Sequence, residues 1–196
     1  AAMGHAAGRW ISEQNGKPFF LTVGYSDPHR AGDASQFGNT RDWPEVRRER
    51  HAAAGLRVPS HLPDLPDVRA DFAEYAEALS RLDSGFDILL RELQRSDRGD
   101  DTLVIFLSDN GRPFPGAKDN LYAAGIHLPL IVRAPRQQRR NLRCRAMVSW
   151  VDIAPTILDW TQAPPPHDYR YLPLPGRSLL PIIESENPSG WDRVFA

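Results

Sequence analysis

The stretch that most restricts the fold is "DFAEYAEALSRLDSGFDILLRELQRS", Asp71 to Ser96. Its apolar residues fall at Phe72, Tyr75, Ala76, Leu79, Leu82, Phe86, Leu89, Leu90 and Leu93. That is helical spacing, and it predicts one long helix. Asp71 with Glu74 three residues later makes a capping-box-like start, and Gly99 is a credible stop. "TLVIFL" (Thr102–Leu107) follows within a few residues. It is nearly all apolar and reads as a buried strand. A long helix handed straight into a core strand points to an α/β chain.

The remaining segments extend that pattern. Ala6 to Gln14 reads as the end of a helix closed by Asn15-Gly16, a favoured left-handed pair. "PFFLTVGYS" (Pro18–Ser26) and "LPLIVRA" (Leu128–Ala134) read as two further strands. In "MVSWVDIAPTILDW", Asp152 can cap a helix whose first turn tolerates Pro155. Residues 31–67, polar and rich in arginine and proline, read as a long surface excursion, and the tail reads as irregular. Near-continuous apolar strands predict a largely parallel sheet covered by helices on both faces.

Bulk properties narrow the function only by exclusion. The 196 residues suffice for one sizeable core or a large part of a bigger domain. A net charge of -1 does not suit a general nucleic-acid binder or a membrane-surface protein. No apolar run approaches the roughly 20 residues that span a bilayer. The first residues show no basic region followed by an apolar one, as a signal peptide would. Cys144 is the one cysteine, so no internal disulfide can form.

The chemistry collects where two strands stop. In open α/β sheets ligands gather beyond the carboxyl ends of strands. The first strand ends in Asp27-Pro28-His29-Arg30, and the second in "SDNGRPFPGAK", with Asp109, Asn110, Gly111 and Lys118. Asp109 and Asn110 offer hard oxygen ligands suited to Ca²⁺ or Mg²⁺ and poor for zinc or copper. The same residues also suit a simple Asx turn, with Gly111 letting the backbone turn away. A hard cation needs about six oxygens, so further ligands have to come from elsewhere. His29, aimed by Pro28, could contact an anionic substrate or act as general acid, or simply satisfy local backbone. Lys118 and Lys17 are the chain's two lysines, and Lys118 is a compact cation suited to an oxyanion or to solvent. Six arginines between Arg133 and Arg145 lack the interleaved aromatics of nucleic-acid surfaces and read as a solvated loop. Cys144, among them, has no triad-like context.

Four segments, in this order, resemble the sulfatase family: "PFFLTVGYSDPHR", "VPSHLPDLPDVRADFAEYAEALSRLD", "TLVIFLSDNGRPFPGAKDNLYAAGIHLPLIVRAP" and "VSWVDIAPTILDW". The heparan N-sulfatase (sulfamidase) type and its bacterial relatives are especially similar, from about Lys17 to Leu180. The resemblance implies an alkaline-phosphatase-like α/β fold and hydrolysis of sulfuric esters or sulfamates. It implies a bound Ca²⁺ (Mg²⁺ second) and a formylglycine nucleophile. Asp109 and Asn110 match the second pair of metal ligands, His29 the "DPH" histidine near sulfate and leaving group, and Lys118 a basic position on sulfate oxygens. The implied partner is a sulfated small molecule or glycan, and the implied compartment periplasmic or extracellular. Ala123 stands where many members have glutamate.

The chain also departs from the family. It contains neither the C-x-P-S-R segment that gives formylglycine nor the upstream Asp-Asp metal pair. Ser26 in "SDPHR" fits the serine form of that pattern only formally, because it falls on the "DPH" stretch. The expectation is therefore an internal piece of a sulfatase catalytic domain, lacking the nucleophile segment and a C-terminal subdomain. A phosphate or phosphonate monoesterase of the same superfamily, and a non-catalytic fragment, are the alternatives.

Overall fold

The computed structural model describes residues 1–32, 36–41, 43–164 and 174–194. It divides into two compact units, Ala1–Asp101 with Ser108–Leu128, and Thr102–Leu107 with Pro129–Ala196. No helix among the described residues is long and apolar enough to cross a membrane.

The first unit is built on two helices, α1 (Ala2–Glu13) and α2 (Pro66–Arg95). α1 meets α2 through its smallest residues. A methyl on Gly4 would sit 2.8 Å from Ile88 Cγ2, and one on Gly8 would sit 2.6 Å from Glu92 Cβ. His5 reinforces the contact, with Nδ1 3.0 Å from Glu92 and Nε2 2.7 Å from Glu45. Ala6 to Glu13 is the end of this helix, as the sequence suggests, and Asn15 (φ 51°) and Gly16 (φ 79°) follow it in the left-handed region as expected.

The long helix is present, but its start and stop differ from the sequence reading. It begins at Pro66, whose fixed φ and missing N–H suit the first helical turn. Asp71 therefore lies inside the helix and caps nothing; its carboxylate pairs with Arg30 instead. The helix closes at Ser96, and Gly99 opens a separate short turn, Gly99–Asp101. The expected surface excursion is also partly core. Phe37, 1% exposed, joins Leu62, Ala78 and Phe114 in an apolar cluster, with Phe72 and Tyr75 packed against it.

Pro18–Ser26 carries no strand ladder, because no partner strand flanks it among the described residues. It is held to α2 by its end: the Tyr25 hydroxyl donates to the Gly85 carbonyl at 3.1 Å. Burial raises the Tyr25 phenol pKa.

In the second unit, β1 (Val104–Leu107) and β2 (Leu130–Arg133) pair antiparallel, Val104 opposite Arg133 and Leu107 opposite Leu130. The largely parallel sheet is thus replaced, among the described residues, by one antiparallel pair. The chain re-enters beside the end where β1 stops, so no crossover is made. The connection between them carries a short helix, α3 (Ala123–Ile126), which belongs to the first unit. α4 (Ile153–Thr161) has Pro155 in its first turn, as predicted. Asp152 caps the turn before it, accepting from Ser149 N–H at 2.9 Å and from Arg177 N–H at 2.9 Å. Leu179, Ile182 and Trp191 form this unit's core. Residues 165–173 of the tail lie outside the described residues.

Candidate active site

The site is built from two loops that α2 holds in the first unit. The first is Asp27–Arg30, with a cis Asp27–Pro28 peptide. Its two charged ends are each tied to α2 by a two-pronged ion pair. Arg81 reaches Asp27 with Nε (2.8 Å) and an Nη (2.6 Å), and Asp71 takes both Nη groups of Arg30 (2.9 and 2.6 Å). Forked contacts of this kind fix orientation as well as distance. The Arg81 side chain is buried, and it also donates to the Phe37 carbonyl at 2.7 Å and to Asn39 Oδ1 at 2.5 Å. Its charge is therefore compensated where water cannot do it.

Pro28 and His29 hang between these two anchors. The His29 N–H closes the turn on the Ser26 carbonyl at 2.7 Å. His29 Nδ1 lies 2.8 Å from the Arg30 carbonyl. A carbonyl only accepts, so Nδ1 carries the proton and Nε2 presents its lone pair.

The second loop, Gly111–Ala124, is fixed by close backbone packing. A methyl on Gly111 would meet the Ala124 carbonyl oxygen at 2.8 Å and Gly125 Cα at 2.8 Å. One on Gly125 would land on the carbonyl oxygens of Asn120 and Ala117. Gly111 is accordingly required for this close approach and not for a positive φ, which it lacks. Phe114 plugs the loop into the aromatic cluster beside Phe72 and Tyr75 (centroids 5.5 and 5.4 Å). Burial raises the Tyr75 phenol pKa, with the Arg112 charge opposing. Lys118 N–H bonds the Arg112 carbonyl at 3.1 Å.

Arg30 connects the loops. Its guanidinium lies 4.6 Å from the Phe37 centroid and 5.1 Å from that of Phe114, and its Nε donates to the Pro113 carbonyl at 3.1 Å. The Asp71 hydrogen bonds raise its pKa further above the ordinary arginine value, against the opposing effect of burial.

His29 and Lys118, far apart in sequence, meet as a result. Lys118 Nζ lies 3.3 Å from His29 Nε2, the one side-chain atom it bonds among the described residues. Among the described residues no carboxylate pairs with this lysine, which leaves its charge available to an anion. Asp109 is exposed, Asn110 half-buried, and the Asn110 carbonyl accepts from Ser108 Oγ at 2.8 Å. Their oxygens fit a hard cation in kind but fall short in number. Among the described residues, no group of three or more His, Cys, Asp or Glu side chains could hold a metal ion. Cys144 is exposed and belongs to the second unit.

Sequence reasoning named His29 and Lys118, whose side chains the structure brings together, but not Arg30, Arg81 and Asn39, which hold the loops, and it misassigned Asp71 as a cap. The available signal was the Asp27/Arg30 pair, two opposite charges bracketing a Pro-His step.

Three comparisons define the chain's kinship. The Sulfatase family model matches residues 1–163. Human N-sulphoglucosamine sulphohydrolase is 37% identical over 204 residues, covering 95% of this chain and 40% of that protein. Arylsulfatase K from Rattus norvegicus is 27% identical, over 95% of this chain and 37% of its own length. Among solved structures, a phosphonate monoester hydrolase from Silicibacter pomeroyi aligns with a TM-score of 0.62 at 21% identity, over 97% of this chain and 43% of that one. That last likeness shows the fold alone. The chain spans about two-fifths of the length of these relatives. It belongs to the sulfatase family.

Proposed function

We propose that the intact protein hydrolyses a sulfuric ester or sulfamate on a sulfated carbohydrate, and that this chain supplies the sulfate-binding edge. Residues 1–196 are then the central part of the catalytic domain, and the nucleophile, a hydrated formylglycine, lies elsewhere in the protein. The observation that carries the reading is the 3.3 Å approach of Lys118 Nζ to His29 Nε2. Family membership and the similarity to a protein named for N-sulphoglucosamine support the substrate class.

Each residue's part follows from its chemistry. Lys118 presents an unpaired ammonium to the sulfuryl oxygens, where charge grows as the sulfur–oxygen or sulfur–nitrogen bond breaks. His29 is held by its Nδ1–H with Nε2 turned to the same place. A proton acquired at Nε2 passes to the leaving oxygen or nitrogen, which departs neutral. Asp109 and Asn110 would hold a hard cation, Ca²⁺ before Mg²⁺, with ligands from outside this stretch. Such a cation supplies positive charge to a sulfuryl oxygen when bound.

The test is sulfate release by the intact protein from N-sulfated and O-sulfated glucosamine. Lys118→Ala should lower kcat about 10²–10³-fold, the usual cost of removing one charge-stabilising donor. Faster cleavage of aryl phosphates or phosphonates than of either sulfated sugar would overturn the reading. The 196-residue chain alone should not turn over an aryl sulfate, since its sequence holds no formylglycine motif and Asp109 and Asn110 by themselves are too few ligands for a hard cation.

A further inference from the structure

We infer that Arg30 is the positioning residue of this site: it sets the distance between His29 and Lys118 by bonding to both loops at once. The inference rests on the sulfatase reading above for its catalytic consequence, but its geometry stands independently.

Arg30 bonds His29 directly and reaches Lys118 through the backbone at Arg112 and Pro113. Its own carbonyl receives the His29 Nδ1–H at 2.8 Å, so moving the Arg30 backbone moves the imidazole. On the other side, its Nε holds the Pro113 carbonyl at 3.1 Å, and the neighbouring Arg112 carbonyl takes the Lys118 N–H at 3.1 Å. The adjacent Arg112 and Pro113 carbonyls are thus held by the Lys118 N–H and by Arg30, respectively. The side chain has no freedom to be a substrate ligand. Both its Nη groups are committed to Asp71, one also to Gln36 at 3.0 Å, and its guanidinium rests against both the Phe37 and the Phe114 ring. Asp27, the other anchor of the same turn, makes no bond to the Lys118 loop; its partner is Arg81. Among the described residues, Arg30 is therefore the side chain that ties one loop to the backbone of the other.

A charge swap separates positioning from plain stabilisation. In Arg30→Glu with Asp71→Arg the ion pair to α2 is rebuilt, but a carboxylate has no proton to give the Pro113 carbonyl. In the intact protein, Arg30→Ala should lower both the thermal midpoint and kcat. The kcat loss should be about a hundredfold, the scale of a roughly 1 Å misplacement, with KM changed less than about threefold. The swapped pair should recover the midpoint and leave kcat low. Recovery of kcat together with the midpoint would overturn the proposal. Arg30→Ala added to Lys118→Ala should cost little further activity, because the contact is already gone. A full further hundredfold loss would also overturn it. A third measurement needs no turnover: the ¹⁵N resonance of His29 Nε2. Lys118→Met should shift it, and Arg30→Ala should shift it the same way. An unmoved resonance in Arg30→Ala sinks the positioning role even if the protein cleaves no sulfate. Conversely, the expected shift in a protein that releases no sulfate would reject only the catalytic reading.

Discussion

Two sets of arginines in this protein meet opposite surroundings. Arg30 and Arg81 are set into the wall of the first unit, where carboxylates, carbonyls and aromatic rings occupy most of their donors and faces. The six between Arg133 and Arg145, in the second unit, are all exposed. There Arg139 pairs with Glu186 at 2.7 Å, both side chains more than half exposed. Such a pair contributes about 1 kcal/mol at most. What the contrast teaches is that an arginine's weight follows the number of acceptors it satisfies away from water. Local density of charge does not predict it.

The largest effect should come from Arg81. Truncation to Ala leaves Asp27, Asn39 Oδ1 and the Phe37 carbonyl without their donor, and breaking a buried pair of this kind costs about 3–5 kcal/mol. Arg81→Lys should recover little, since a single ammonium cannot reproduce the fork. Chemical denaturation of the intact protein would check both. A loss below about 1 kcal/mol for Arg81→Ala would remove the basis of the contrast.

Gly125→Ala should come next, at about 1–3 kcal/mol, because the added methyl strikes two backbone carbonyls that cannot swing aside. Gly111→Ala should cost less, since its nearest contacts are at 2.8 Å. Equal stabilities would mean that the Lys118 loop is not held by backbone packing, leaving Arg30 alone to place it.

These expectations also mark how much the sequence discloses. α2, β1, β2 and α4 were legible because burial imposes a period that survives in the residue order. The start of α2 was not, because Asp71 and Glu74 at capping-box spacing have other partners, Arg30 and Asn39. Pro18–Ser26 was misread as a strand because apolar content does not disclose whether a neighbour is there to pair with, and none of its residues is buried here. His29 and Lys118 were legible as polar clusters where apolar runs stop. Arg81 was not, since nothing local distinguishes an ion-paired arginine in a chain whose cations are nearly all arginine, and Arg30 was marked only by its place opposite Asp27 around the Pro-His step. Phe37 and Phe114, which carry the guanidinium of Arg30, sit in segments whose composition looks like surface loop.

A smaller effect concerns alkaline pH. Tyr75 packs against the rings beside Arg30, and its raised pKa means the folded protein holds the phenolic proton more tightly than the unfolded chain. The stabilisation is complete below the ordinary tyrosine pKa of about 10 and is lost as pH rises through the higher folded value. Tyr75→Phe should therefore weaken the decline in stability above roughly pH 10. An identical pH profile in the two proteins would show that the ring cluster does not couple to the phenol.

The smallest effect should come from the dense arginine run. Arg140 and Arg143 are exposed and bond to no side chain among the described residues. Arg140→Gln with Arg143→Gln removes two charges there but strips no buried acceptor of its donor. Stability should stay within about 0.5 kcal/mol, as for surface changes away from specific contacts. The sharper measurement is ionic-strength dependence. If this run steers an anionic substrate, the double variant should lower kcat/KM at low salt and match the parent at high salt, where exposed charges are screened. If the run is only solvated surface, as its exposure indicates, the two proteins should agree at every salt concentration. A salt-dependent gap would mean that unburied arginines carry function here through their summed field, and the rule drawn from Arg30 and Arg81 would then hold for stability alone.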